Sequence, residues 1–394
     1  MRTVIRLLIL LISALVSTLP GTAQKRAVTD AEVDRVHRAL MIVDTHNDTT
    51  MKVLDGYDVA TDRPSGSTDL QKLRTGNAGA VFFAAYVPAK FARTGGSAAY
   101  CRKAIEAIRN DIVGKHPGDF LLARTAAEIE SARKAGKIAA LIGIEGGHAI
   151  EDSLDKLWDF YRIGARYMTL THTNTNNWAD SSGDKPRHGG LNDLGRKVVS
   201  EMNRIGMIVD ISHVSDDTFR DVLEVSRAPV FASHSSCRAI SQAKRNMTDD
   251  MLRALGAKGG VIQINFACSF LNDAVRKDRP REKNLIFKKY GDDMDALRAD
   301  MERGFKRATL ADVVAHIQHA VRIAGLDHVG IGSDFDGIDC TPVGLEDYSK
   351  FPALTRALLE EGYSADDIRK IYGGNTLRLM REVEQTARSS QAKN

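Results

Sequence analysis

Cysteine is scarce in this chain. Four residues in 394, Cys101, Cys237, Cys268 and Cys340, are scattered with no C-x-x-C pair, which argues against a thiolate zinc site. Cys237 and Cys268 each fall just past consecutive predicted strands, so a disulfide between them is to be considered. An excess of one charge is missing too. Lys and Arg number 55 against 51 Asp and Glu, and the net +4 is too mild to argue for nucleic acid. There are no internal repeats. After the N-terminal segment no apolar run is long enough to span a bilayer, so no stable membrane span is expected.

The first residues read as a targeting segment. Arg2 and Arg6 form a basic stretch, 7–16 is almost continuously apolar, and Gly21-Thr22-Ala23 is a small-x-small cleavage signal. Residues 1–23 are therefore expected to be a secretory signal peptide, with an uncleaved anchor as the alternative. The mature chain, 24–394, would be exported, periplasmic or secreted. There a disulfide is permitted. No Cys follows the apolar run, so a lipoprotein signal is absent.

The body alternates short β-rich apolar runs with helical patterns. Strands are predicted at 40–44, 80–87, 139–144, 167–170, 208–211, 230–232, 261–264 and 329–332. Leu154, Leu157, Trp158 and Tyr161 make a helical stripe, as do Leu310, Val313, Val314, Ile317 and Val321. The second stripe opens with a capping-box-like Thr309 and Asp312 and stops at Gly325. Eightfold strand–helix alternation predicts an α/β fold, a single (β/α)8 barrel. Two segments interrupt it: a polar loop at 178–190 after the fourth strand, and a charged excursion at about 270–307 after the seventh. The latter is either a lid over the barrel mouth or a solvated excursion. The C-terminal part reads as helices at 353–361, 364–372 and 376–387, with a frayed tail at 389–394.

Barrel enzymes place their chemistry at the C-terminal ends of strands. The first strand runs into His46-Asn47-Asp48, and side chains two apart on a strand share a side. The third ends in Glu145-Gly146-Gly147-His148, the fourth in His172, the fifth in His213, the sixth in His234, and the eighth in Asp334-Phe335-Asp336. Four of the chain's 11 His thus lie just past strands predicted on other grounds, in register with Asp48, Glu145 and Asp334. This exceeds the three protein ligands of one catalytic zinc. It fits two metals roughly 3.5–4 Å apart, bridged by a carboxylate. Two zinc ions would make a bridging hydroxide available near neutral pH and polarise a carbonyl. A further His can stabilise an oxyanion and a further Asp can move a proton. Such a set suits hydrolysis of an amide-like bond. Ser235 or Ser236 beside His234 offers a serine-nucleophile alternative, but no G-x-S-x-G elbow is present.

With those residues in view, the chain resembles the membrane (renal-type) dipeptidases of the metal-dependent amidohydrolase superfamily, as a bacterial-type secreted member. The likeness is carried by Asp44-Thr45-His46-Asn47-Asp48, Gly143-Ile144-Glu145-Gly146-Gly147-His148, Leu170-Thr171-His172, Asn177-Trp178-Ala179-Asp180 and Ser233-His234-Ser235-Ser236. It continues through Lys244-Arg245-Asn246, Gly332-Ser333-Asp334-Phe335-Asp336-Gly337 and Tyr372-Gly373-Gly374-Asn375, so it covers about 40–380. The resemblance implies that His46 and Asp48 hold one zinc, that His213 and His234 hold the other, and that Glu145 bridges them. It implies that His172 faces the oxygen of the tetrahedral intermediate and that Arg245 pairs with the substrate's C-terminal carboxylate. Asp334, nearer the strand end than Asp336, would shuttle the proton or meet the substrate amine, and Asp336 would support it. Asn174 and Ser241 stand where animal members carry disulfide cysteines, so a disulfide-linked dimer is not expected, though a homodimer is compatible. No C-terminal hydrophobic tail is present for a lipid anchor.

The expected activity is a two-zinc metallo-dipeptidase acting on L,L-dipeptides, with L,D-dipeptides as a further option, through the bridging hydroxide. Two rivals stand beside it. An N-acyl-amino-acid deacylase would share the metals and differ at the mouth. A non-catalytic exported peptide-binding protein would not need the whole ligand set. Similar ligands also accept cobalt or manganese.

Overall fold

The computed structural model describes residues 25–278 and 306–392. The expected signal peptide, most of the 270–307 excursion and residues 393–394 lie outside them.

Nine strands form in chain order: β1 (Ile42–Asn47), β2 (Ala78–Tyr86), β3 (Phe120–Leu122), β4 (Ile138–Glu145), β5 (Ala165–Thr169), β6 (Ile208–Asp210), β7 (Phe231–Ser235), β8 (Val261–Ile264) and β9 (Val329–Ile331). Every pairing between them is parallel. The order β2–β1–β9–β8–β7–β6–β5–β4 returns from β4 to β2, so eight strands close into a barrel wrapped by helices. The fold is the expected (β/α)8 barrel, and its eight strands are the eight predicted ones. Parallel strands are covered on both faces, which is why they read as continuous apolar runs. β4, Ile-Ala-Ala-Leu-Ile-Gly-Ile-Glu, is buried along its whole length.

The ninth strand, β3, lies outside the ring. Phe120–Leu122 pairs with Ile138, Ala139 and Ala140 at the start of β4, while β5 takes the same flank further along, from Ile142 to Glu145. β3 thus extends the wall below the point where β5 begins.

The predicted helices form where their stripes and caps place them. Leu154–Ile163 starts at Ser153, whose hydroxyl accepts from the Lys156 N–H, and stops at Gly164. Leu310–Ala324 opens with the Thr309–Asp312 capping box and buries Val313, Val314 and Ile317. The C-terminal helix, Asn375–Gln391, runs further than expected. The tail is not frayed from residue 389, because Ser390 Oγ and Gln391 Nε2 hydrogen-bond to Thr386 O and Arg204 O.

The disulfide expectation is corrected. Cys268 pairs with Cys340, not with Cys237, across a Cα–Cα distance of 5.7 Å. β8 has two neighbours in the ring. The segment after β8 meets the one after β9, with Cys268 N donating to Cys340 O at 3.3 Å. Cys237 remains a buried thiol held by the helix Leu310–Ala324: its N–H donates to His316 Nδ1 at 2.9 Å.

That contact fixes His316 as a neutral imidazole whose Nε2–H donates to Leu271 O at 3.0 Å. Burial pushes its pKa down to about 4, with the Leu271 hydrogen bond and Asp312 opposing and His319 assisting. Its folded pKa is below the unfolded one, so the unfolded chain binds the proton first. Its contribution is complete above about pH 6.5 and is lost as pH falls toward 4. We expect up to about 3 kcal/mol from this residue over that window. Denaturant melts of wild type and His316→Gln should diverge below pH 6.5, with the shallower pH slope in the variant, since an amide can accept and donate without titrating. Parallel slopes would refute the assignment.

β1 and β9, the first and last strands, meet along a short seam. The ladder has one paired position, Asp44 with Ile331. The rest is held by Asp48 N to Phe335 O at 2.9 Å, Asp334 N to His46 O at 3.1 Å, and the Asp44 carboxylate on Ser333.

Candidate metal centre

All the strand-end residues expected to carry chemistry gather at one mouth of the barrel. Glu145 Oε1 lies 3.0 Å from His213 Nε2, 3.4 Å from His234 Nε2, 3.5 Å from His46 Nε2 and 3.8 Å from His172 Nε2. Asp48 Oδ2 is 3.3 Å from His46 Nε2. Asp48 occupies the N-cap of the helix Thr49–Leu54 but makes no capping hydrogen bond with its side chain, so the carboxylate is turned to the cluster. His46, Asp48, Glu145, His213, His234 and Asp334 are each at most 9% exposed.

Three overlapping groups have ligand atoms close enough to hold an ion: His46, Glu145 and His234; Glu145, His172 and His213; His46, Asp48 and Asp334. The fit to a cation rests on the nitrogens. His46 Nδ1 is held by Tyr167 Oη at 2.7 Å and His234 Nδ1 by Ser233 Oγ at 2.8 Å, which leaves Nε2 of both for the centre. His46 Nε2 is buried without a hydrogen-bond partner. The Nε2 atoms of His213 and His234 face each other at 2.9 Å.

The electrostatics agree. Burial pushes the Glu145 and Asp334 carboxyls up; His46 opposes this and Asp48 adds to it. Burial holds His213 and His234 well below the ordinary imidazole range, and His172 at about 3, with Arg245 adding to each. Only His46 is raised among the four: burial disfavours its charge, and Glu145 and Asp48 outweigh it. Neither sign of charge is solvated here, and a divalent cation would stabilise carboxylates and neutral imidazoles together.

The site stands on two buried clamps of the same design. On β1, Asp44 Oδ1 accepts from His46 N (3.3 Å) and Ser333 N (2.8 Å), and Oδ2 accepts from Ser333 Oγ (2.5 Å) and Tyr348 Oη. On β6, Asp210 Oδ1 accepts from Ser212 N (3.0 Å) and Ser233 N (2.8 Å), and Oδ2 accepts from Ser233 Oγ (2.6 Å) and Thr169 Oγ1 (2.5 Å). Each ties one strand to the next in the ring, and each clamped serine precedes a site residue, Asp334 or His234. The sequence reading missed Asp210, Tyr167 and this role of Asp44. The repeated pairing of an Asp before a site His with a Ser before the next site residue was the available signal.

Below the clamps an aromatic layer crosses the barrel: Tyr167 packs on Phe82 and Phe231 with centroids 5.4 and 5.3 Å away. Gly143 makes room for it, since a Cβ there would lie 1.9 Å from the Tyr167 ring. Gly337 does the same for the site, because a Cβ would lie 2.1 Å from Asp48 Oδ2. His213, Asp334 and Asp336 take left-handed backbone conformations with φ of 67°, 62° and 65°, a strain that collects at functional sites.

The remaining expected residues separate. His172 lies against Tyr86, centroids 4.7 Å apart, and beside His213 at 4.4 Å. Arg245 reaches the centre from the loop after β7; Nη2 donates to His234 O at 3.1 Å, Nε is unpartnered, and the guanidinium lies 5.4 Å from the Phe270 ring. Asp336 is not at the centre. It accepts from Thr49 Oγ1 at 2.6 Å, Ser67 N at 3.0 Å and Arg63 at 3.3 Å, and so anchors the loop that carries Asp334. The serine alternative loses its support: Ser235 Oγ donates to Arg245 O and Ser236 Oγ to Asn265 Oδ1, both serines buried.

A family model described as membrane dipeptidase (peptidase family M19) matches residues 30–394. The dipeptidase verJ of Clonostachys rogersoniana is 36% identical over 382 residues, covering 92% of this chain and 90% of that protein. The dipeptidase aclJ of Aspergillus oryzae is 36% identical over 387 residues, covering 94% and 84%. Among solved structures, the probable dipeptidase PvdM of Pseudomonas aeruginosa superposes with a TM-score of 0.78 at 25% identity, over 91% of this chain and 99% of that one. A metallopeptidase of Rhodobacter sphaeroides, liganded with a phosphinate mimic of the dipeptide L-Ala-D-Ala, gives 0.73 at 26% identity, over 87% and 99%.

Proposed function

Because the chain belongs to the membrane dipeptidase family, peptidase family M19, and is a hydrolase acting on peptide bonds, we propose that it is a two-zinc dipeptidase cleaving L,L- and L,D-dipeptides. The convergence of four imidazole nitrogens on one oxygen of Glu145 carries this reading. His46 and Asp48 would hold one ion, His213 and His234 the other, and Glu145 both. When bound, such ions lower the pKa of water and polarise a carbonyl. The L,D range is supported by the dipeptide mimic bound to the Rhodobacter relative.

The protein's own groups do the rest. Arg245 offers N–H donors to the substrate's terminal carboxylate. His172, beside Glu145 and His213, offers an N–H to the oxygen that gains charge as the carbonyl becomes tetrahedral. Asp334, whose carboxyl burial pushes up and which lies within reach of Asp48 and His46, is placed to take a proton from the attacking water and pass it to the leaving amine. We also propose export, with residues 1–23 as the leader; the basic and apolar N-terminal pattern and the Cys268–Cys340 disulfide support it.

The test is metal content together with kinetics on dipeptides, their C-terminal amides and N-acyl amino acids. We expect about two zinc per chain, loss of cleavage on chelation and its return with zinc. Amides should lose roughly 100-fold in kcat/KM, and Arg245→Ala should erase the difference between acid and amide. Equal wild-type kinetics on acids and amides would exclude the role of Arg245. Cleavage of N-acyl amino acids alone would move the function to a deacylase.

A further inference from the structure

Beside the metal centre lies a cavity of about 300 Å³ that none of the roles above uses. Its walls come from the segments that follow β2, β4 and β5, which are neighbours in the ring, so it opens on the same face as the centre. His148, three residues after Glu145, and Asn174, two after His172, both line it.

Both are unsatisfied. His148 is 6% exposed; the Val87 and Pro88 backbone lies near its ring, but neither ring nitrogen makes a well-formed hydrogen bond. The Asn174 side-chain nitrogen and oxygen are likewise buried and unpartnered. Buried polar groups are paired as a rule, so two such side chains lining one cavity mark a place where something polar binds.

The charged groups around them say what it is. The three acids are already engaged. Glu151 accepts from Lys156 Nζ and from Ala98 N at 3.1 Å. Asp152 accepts from Asn177 Nδ2 at 2.7 Å. Asp184 accepts from Thr175 N at 3.1 Å and Lys185 N at 2.8 Å. The two bases, Arg93 and Arg187, line the cavity with no side-chain hydrogen bond or ion pair among the described residues. The cavity thus keeps two guanidinium groups that no described side chain pairs, with the Asn174 amide N–H and one N–H of His148 as further donors beside the acceptors Asn174 Oδ1 and the second His148 nitrogen. Donors of this kind suit a carboxylate.

We propose that this cavity is a subsite for an acidic side chain of the substrate, separate from the place of Arg245, so that the enzyme prefers dipeptides containing Glu or Asp. This rests on the dipeptidase reading and gives it a side-chain preference. Arg93 and Arg187 would supply the charge; His148 and Asn174 would fix the orientation.

The experiment uses the zinc-loaded enzyme on L-Ala-L-Ala, L-Glu-L-Ala, L-Ala-L-Glu and the two Gln counterparts. One Glu dipeptide should exceed its Gln counterpart by about 10-fold in kcat/KM, chiefly through KM. The Arg93→Ala/Arg187→Ala variant should remove that preference and leave L-Ala-L-Ala within about twofold of wild type. Asn174→Leu should weaken the preference in the same sense. Cleavage of L-Ala-L-Ala with Glu and Gln treated alike would overturn the subsite while sparing the dipeptidase reading. A Glu preference unmoved in the double variant would overturn it as well. No cleavage of any dipeptide would overturn both.

Discussion

Glu145→Gln is expected to strip the metal from the protein and to lower kcat/KM by about four orders of magnitude, while the fold survives. Gln has the same shape, so the walls of the barrel mouth need not move. What changes is the charge at the point where four Nε2 atoms converge within 3.8 Å. An amide N–H there can donate to an imidazole lone pair, which satisfies the buried nitrogens without an ion. The variant should thus melt near the metal-free wild type yet retain little zinc, and without the ions the reaction loses several kcal/mol of transition-state stabilisation. Elemental analysis, dipeptide kinetics and a thermal melt on one preparation would decide it. A fully metallated, fully active variant would remove Glu145 from the bridging position.

The other large effect falls on Asp210. Its carboxylate accepts four hydrogen bonds, from Ser212 N, Ser233 N, Ser233 Oγ and Thr169 Oγ1, in a place with no exposure. Asp210→Ala leaves those donors buried without an acceptor, at about 1–3 kcal/mol each before relaxation. A loss of about 3–5 kcal/mol in unfolding free energy is expected. Asp210→Asn should cost much less, because Oδ1 can keep both backbone N–H groups while the hydroxyls rotate. The consequence for the site is directional. Ser212 and Ser233 each precede a proposed ligand, His213 or His234, so zinc should leave that half before the half held by His46 and Asp48. Asp44→Asn, whose clamp holds His46 and Ser333, should reverse the order. Competition with a chelator would measure the two dissociation constants; equal weakening of both by either substitution would count against separate clamps.

The strands were legible because a strand buried on both faces is an apolar run, and β4 shows that in the seven consecutive residues before Glu145. β3 escaped because three residues, two of them only half-buried, give no pattern to count. The convergence of the proposed ligands was legible because the barrel fixes where strand ends must meet, so His46, Glu145, His213 and His234 could be placed together from strand positions alone. The disulfide was misread at Cys237 because β8 has a consecutive strand on each side, β7 and β9, and Cys340 just past β9 meets the same rule as Cys237 just past β7. The clamps leave a local trace in the Asp and Ser that precede site residues, but which Asp meets which Ser is decided across the chain, with Asp44 and Ser333 289 residues apart. Strand position alone put Asp334 ahead of Asp336, and the contacts of Asp336 with Thr49, Ser67 and Arg63 show what holds it away from the centre.

The narrow seam between β1 and β9 joins the two ends of the barrel's sequence, and on the separation of its residues we expect it to be the last part of the site to close. His46 and Asp48 emerge early from synthesis, whereas Asp334, Ser333 and the strand that brings them back come near the end. Until β9 docks against β1, Asp44 has no Ser333 to hold, and the groups around His46 lack their far side. Contacts so distant in sequence are slow to form, since the chain between them must first be confined. All five proposed ligands precede β9, so what the docking of this last strand adds is Asp334 and the Ser333 hydrogen bonds that hold Asp44 and, through it, His46.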